Sequence, residues 1–75
     1  MPYTIITQPN CPSCQKAKQL LKDRGLSYQE FDLTDYKNKF LLGLMRKSSL
    51  NTVPQIWGPI GEYVGGFEAL GGYHD

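Results

Sequence analysis

The feature that most limits the fold of this 75-residue chain is a break at Gln8-Pro9-Asn10-Cys11-Pro12, between two segments of opposite character. Before it, Tyr3-Thr4-Ile5-Ile6-Thr7 is β-branched and aromatic, the composition of a strand. Ile5 and Ile6 are adjacent and both apolar, so this strand is expected to be covered on both faces, in a central or parallel position. After the break, Cys14 to Arg24 is rich in helix formers, with Ala17, Leu20 and Leu21 on one face and Gly25 as the stop. Asn10 or Cys11 stands where the helix N-cap belongs, and Pro12 fits the first helical position. Tyr28-Gln29-Glu30-Phe31-Asp32-Leu33 then alternates apolar and polar residues, the period of a second strand. Strand, helix and strand in succession require a parallel, right-handed crossover.

From Asp35 to about Lys47 the apolar residues Tyr36, Phe40, Leu41, Leu44 and Met45 form one face of a second helix. Gly43 weakens that helix by up to about 1 kcal/mol relative to alanine. Ser48 to Thr52 is a polar loop. Val53-Pro54-Gln55-Ile56-Trp57 and Glu62-Tyr63-Val64 flank Gly58-Pro59-Ile60-Gly61 and predict a hairpin. Gly65-Gly66 then leads into a short last helix from Phe67 to about Leu70. The order is β-α-β-α-β-β-α, an α/β fold with a mixed four-stranded sheet flanked by helices, in one domain over residues 1–75. A chain this short buries only about 60–65% of its unfolded surface, so one thin core is expected.

Composition narrows the function classes. Hydrophobic residues at 40% and charged residues at 20% suit a folded domain rather than a disordered one. The net charge of +1 and the scattered basic residues present no face for nucleic acid or an anionic membrane. No apolar run approaches the roughly 18–20 residues needed to span a bilayer. Met1-Pro2-Tyr3-Thr4 has no basic start before an apolar stretch, so no secretory leader is expected. These features predict a cytoplasmic protein (in the host cytosol if the source is viral), and a monomer is expected. In that reducing compartment Cys11 and Cys14 are poor candidates for a permanent staple, since they close too short a loop to restrict the unfolded chain much.

Chemistry is the better account of Cys11-Pro12-Ser13-Cys14. Two thiols three apart serve as half of a zinc site or as a redox pair. Zinc usually takes four ligands, and only His74, near the chain end, is available to join them, so no metal is expected. The redox reading gains from context, because the first cysteine follows a strand and opens a helix within a βαβ pattern. Unpaired N–H groups of the first helical turn point at Cys11, and the helix dipole adds partial positive charge there. Both favour the thiolate, the reactive form. Cys14, one turn on and more buried, is within reach of Cys11. The expected roles are Cys11 as nucleophile and Cys14 as resolving thiol. Lys16 and Lys18 read as solvated helix lysines. Trp57, Tyr63 and Phe67 read as core or edge packing, and Tyr73 and His74 receive no role.

Three segments in this order resemble the glutaredoxins of the thioredoxin superfamily: Cys11-Pro12-Ser13-Cys14 followed by Lys16-Ala17-Lys18, Thr52-Val53-Pro54-Gln55-Ile56, and Gly65-Gly66-Phe67-Glu68-Ala69-Leu70. The short length and the glycine pair before Phe67 are similar to short phage-type dithiol glutaredoxins. The resemblance implies a thioredoxin-like fold and a dithiol oxidoreductase that reduces protein disulfides and glutathione mixed disulfides. It implies a cis Val53–Pro54 bond beside the dithiol, where Val53 would pair with an extended substrate. It also implies glutathione as co-substrate, held by Pro12, Ser13, Thr52, Val53 and Pro54 on one side. Gly65, Gly66, Phe67 and Glu68 would hold it on the other, the Gly66 and Phe67 N–H groups on its γ-glutamyl carboxylate and Glu68 facing its ammonium. Many relatives carry a cation three residues before the first cysteine and a Tyr between the cysteines, where this chain has Gln8 and Ser13. Those differences weaken the expected hold on glutathione. They leave thioredoxin reductase open as the electron donor, as in redoxins that serve ribonucleotide reductase, the protein client the resemblance suggests. A different class of function is a glutathione-dependent module that binds a [2Fe–2S] cluster through the first cysteine. A third is an inactive partner-binding domain that has kept the fold.

Overall fold

The computed structural model describes residues 1–73. Its elements are β1 (Tyr3–Thr7), α1 (Pro12–Asp23), β2 (Tyr28–Asp32), α2 (Phe40–Lys47), β3 (Gln55–Trp57), β4 (Tyr63–Gly65) and α3 (Phe67–Gly71). The sheet order is β2-β1-β3-β4, with β1 parallel to β2 and antiparallel to β3, and β3 antiparallel to β4. The fold is thus the mixed four-stranded sheet with flanking helices that the element order predicts.

β1 is central, which is why both of its isoleucines are apolar. Tyr3 and Ile5 join Ala17 and Leu21 of α1, Ile56 of β3 and Leu70 of α3 in one cluster. Ile6, pointing the opposite way in the pleat, joins Leu33 and Met45 on the other face. α1 ends where the glycine predicts. Gly25 takes a φ of +71°, its N–H donates to the Lys22 carbonyl at 2.9 Å, and the Leu26 N–H donates to Leu21 at 2.9 Å. That pair of bonds satisfies the last carbonyls of the helix and turns Leu26 back onto the core. Arg24 ties the same end of α1 to α3, its guanidinium donating to the carbonyls of Leu70, Gly71 and Tyr73 at 2.9–3.0 Å.

The second helical segment departs from the sequence reading. Residues Tyr36–Asn38 form a separate 3₁₀ turn, and α2 begins only at Phe40. The Asp35 carboxylate accepts from the Lys37 N–H at 3.2 Å, and the buried Asn38 amide donates to the Asp32 carbonyl at 3.1 Å. These bonds anchor the turn to the end of β2. A 3₁₀ turn winds at three residues per turn, so it shifts the phase of the apolar pattern. Tyr36, Phe40 and Leu44 consequently stand exposed, and only Met45 of α2 is buried. The hairpin also shifts. β3 starts at Gln55 because Pro54 has no N–H to give to the ladder, and a bulge interrupts pairing at Ile56 and Trp57. The loop is five residues, Gly58 to Glu62, closed by the Gly58 N–H on the Glu62 carbonyl at 2.8 Å.

Candidate redox site

The strand-to-helix break places the two cysteines. Asn10 takes a left-handed φ of +57°, a conformation asparagine tolerates, which swings Cys11 into the N-cap of α1. Cys11 is extended (φ −116°, ψ 99°), and Pro12 occupies the first turn, where a missing N–H costs nothing. The Cys14 N–H donates to Cys11 Sγ at 3.1 Å, so the sulfur takes the place of a capping oxygen. The two cysteines are joined as a disulfide with Cα atoms 5.2 Å apart. They are unequal in exposure: Cys14 is wholly buried, and Cys11 is half-buried.

The loop before β3 faces this pair. Cys11 Sγ lies 3.8 Å from the Val53 carbonyl oxygen, and the Val53–Pro54 peptide bond is cis. An open groove of about 450 Å³ runs beside them, lined by Ser13, Thr52, Val53, Pro54, Gly66, Phe67, Glu68 and Ala69. Three segments far apart in sequence thus meet at one place. Pro12 lies on the exposed first turn of α1, outside the groove lining. Gly65 is also outside the lining and serves the turn instead. Its φ is +121°, and a Cβ there would sit 3.0 Å from Ala69 Cβ, so a side chain would strain both backbone and packing.

A second depression, about 480 Å³, adjoins the groove through the shared residues Thr52 and Val53. Gln8 and Arg46 line it, and the Arg46 guanidinium there was not foreseen from the sequence, since nothing local ties α2 to the start of α1. Lys18 was read as a solvated lysine but is paired. Its ammonium lies 3.0 Å from Glu30 Oε2, which also accepts from the Thr7 hydroxyl at 2.7 Å. Burial pushes the Glu30 carboxyl up, but the Thr7 hydroxyl and the Lys18 ammonium outweigh it and hold the group below its ordinary value. The Thr34 hydroxyl and N–H hold Asp32 low in the same way. Trp57 and Tyr63 pack edge to face at 5.6 Å, in keeping with packing roles, while Phe67 both packs on the core and lines the groove. Tyr73 packs against Tyr3, and His74 lies outside the described residues.

A dithiol that closes to a disulfide at a helix N-terminus, beside an open groove, is suited to exchange with other disulfides. Known proteins agree with this geometry. A family model described as Glutaredoxin matches residues 3–63. The chain is 46% identical over 70 residues to Glutaredoxin of Pseudomonas aeruginosa, covering 92% of this chain and 80% of that protein. It is 40% identical over 70 residues to hybrid peroxiredoxin hyPrx5 of Haemophilus influenzae, spanning 93% of this chain but 28% of that longer protein. The crystal structure of Glutaredoxin 1 from Francisella tularensis, complexed with cacodylate, superposes with a TM-score of 0.76 at 28% identity, over 95% of this chain and 88% of that one. The chain therefore belongs to the glutaredoxin family and is a thiol–disulfide oxidoreductase whose redox centre is the Cys11–Cys14 pair.

Proposed function

We propose that the chain works as one domain that reduces protein disulfides and glutathione mixed disulfides, with Cys11 attacking and Cys14 resolving. The observation that carries this division of labour is the contrast between a half-buried Cys11, whose sulfur accepts from the Cys14 N–H at 3.1 Å, and a fully buried Cys14. In the reduced protein the Cys11 thiolate attacks one sulfur of the substrate disulfide. A mixed disulfide forms, and the other substrate sulfur leaves as a thiolate that takes up a proton. Cys14 then gives up its proton and attacks Cys11 Sγ. This closes the intramolecular disulfide and releases the second substrate thiol. Two electrons pass from the enzyme dithiol to the substrate.

The groove supports glutathione as co-substrate. Val53 would pair with the cysteinyl backbone, and the Gly66 and Phe67 N–H groups would meet the γ-glutamyl carboxylate with Glu68 facing the ammonium. Where many relatives carry a cation, Gln8 is neutral, and Arg46 in the adjoining depression is the cation available to a second carboxylate. Two molecules of glutathione would re-reduce the enzyme disulfide and leave as glutathione disulfide; thioredoxin reductase is the competing donor. A ribonucleotide reductase disulfide is the protein client that the family resemblance suggests.

The test is NADPH oxidation with a disulfide substrate, run once with glutathione and glutathione reductase and once with thioredoxin reductase. Turnover is expected with the glutathione pair. Cys11→Ser should abolish it, and Cys14→Ser should keep part of the activity on glutathionylated substrates while losing protein-disulfide reduction. Full turnover by the Cys11→Ser protein would overturn the assignment.

A further inference from the structure

Gln55 is the one large polar side chain, among the described residues, buried directly beneath the loop that faces the dithiol. It is 4% exposed, and both ends of its amide are satisfied. The Nε2 group donates to the Thr52 carbonyl at 2.8 Å and lies 3.3 Å from the Thr52 hydroxyl oxygen, while Oε1 accepts from the Tyr63 hydroxyl. A carbonyl oxygen can only accept, so the amide has one orientation that serves both partners.

The Thr52 carbonyl and the Val53 N–H belong to one peptide unit, which is planar and trans. In such a unit the C=O and the N–H point in opposite directions. Holding the Thr52 oxygen inward, onto a buried amide, therefore turns the Val53 N–H away from the core. That N–H has no partner among the described residues, and Val53 lines the groove next to Cys11. The Val53 carbonyl, on the next peptide unit, lies 3.8 Å from Cys11 Sγ. The alignment of the Val53 N–H thus depends on a side chain outside the dithiol and the groove lining.

We propose that Gln55, oriented by Tyr63, is a positioning residue for peptide recognition. It fixes the Thr52–Val53 peptide plane so that Val53 can hydrogen-bond the backbone of an extended disulfide-bearing peptide. This rests on the reading above, in which substrate pairs with Val53. It predicts a specificity effect rather than a general loss. A disulfide carried by a peptide gains from the aligned N–H, whereas a disulfide with no peptide backbone has nothing to place there.

The experiment measures single-turnover oxidation of the reduced protein by two disulfides, a short disulfide-bonded peptide and 2-hydroxyethyl disulfide. The quantity read is the ratio of the two second-order rate constants. Gln55→Met keeps the volume but removes both hydrogen bonds, and should lower the peptide-to-hydroxyethyl ratio about tenfold, the worth of roughly one well-made hydrogen bond. Tyr63→Phe leaves the Gln55–Thr52 bond in place but frees the amide to turn, and should lower the ratio about two- to threefold. Because the two rates come from the same sample, partial unfolding cancels in the ratio. A ratio unchanged in Gln55→Met, with both rates equally slowed or neither slowed, overturns the inference and leaves the redox reading standing. Wild-type protein that reacts with neither disulfide overturns the redox reading itself.

Discussion

On the sheet face covered by α1 and α3, Tyr3, Ile5, Ala17, Leu21, Ile56 and Leu70 are each at most 2% exposed. On the face covered by α2, the buried set is Ile6, Leu33 and Met45, while Tyr36, Phe40 and Leu44 beside them stand more than half exposed. Two helices seal the first face; one eight-residue helix lies on the second. The buried cysteine belongs to the sealed face, on the same helix as Ala17 and Leu21. The groove is built from the loop before β3, from Ser13 at the start of α1 and from α3, while its neighbouring depression lies on the loosely covered α2 side. The molecule thus holds the Cys14 sulfur in a close-packed layer, opens a groove at the rim of that layer and leaves a second depression where packing is thin. This division suits an exchange enzyme, in which the attacking geometry is constant while the partner varies.

Substitutions can break this contrast or sharpen it. The largest effect is expected for Leu21→Ala. A wholly buried leucine on the sheet-facing side of α1 leaves a cavity the sealed face cannot close, so a loss of about 4 kcal/mol is expected in urea unfolding. Met45→Ala on the opposite face should cost less, about 2 kcal/mol, because its half-exposed neighbours Leu41, Leu50 and Trp57 can move into the space. Equal losses at the two positions would mean that the two faces are packed alike.

A smaller effect is expected from pH. Glu30 has a lowered pKa in the folded chain, so its contribution to stability is present above the ordinary carboxylate value. It is lost as the pH falls through the lower folded value. Lys18→Met removes the ammonium that helps to hold it low, and should flatten the loss of stability between about pH 5 and pH 3 by less than about 1 kcal/mol. Unfolding curves at the two pH values check this, and an unchanged slope would show that the Thr7 hydroxyl alone holds the carboxylate. The smallest effect belongs to Phe40→Ser. An aromatic residue that is 64% exposed has little burial to lose, and stability should stay within about 0.5 kcal/mol of the parent.

Much of this was legible in the chain because it is local. A β-branched run, a Pro-Asn break, a run of helix formers and Gly25 mark β1 and α1 without reference to any other residue, and they suffice to put Cys11 at a helix N-terminus. The interior of the 35–47 segment was not legible in the same way. Its apolar spacing fits one continuous helix, and the bond from Asn38 to Asp32 that anchors a 3₁₀ turn there involves a strand that the spacing does not see. Lys18 misled for a like reason, since its partner Glu30 stands on β2, an element separate from its own helix.

By itself, then, the sequence determined the element order, the place of the dithiol at the mouth of α1 and the glycine that ends that helix, because each rests on backbone preferences and near-neighbour hydrogen bonds. That Ser13, Thr52–Pro54 and Gly66–Glu68 share one place was implied by the family resemblance and not by any segment's own pattern, and only the tertiary structure decided that they line one groove without Pro12 and Gly65, that Arg46 stands beside Gln8, and that the Gln55 amide sits under Val53. Those arrangements depend on how helices and strands pack across the sheet. The hydrophobic burial that drives such packing is non-directional, so the pattern of a single segment does not record which neighbour it will meet.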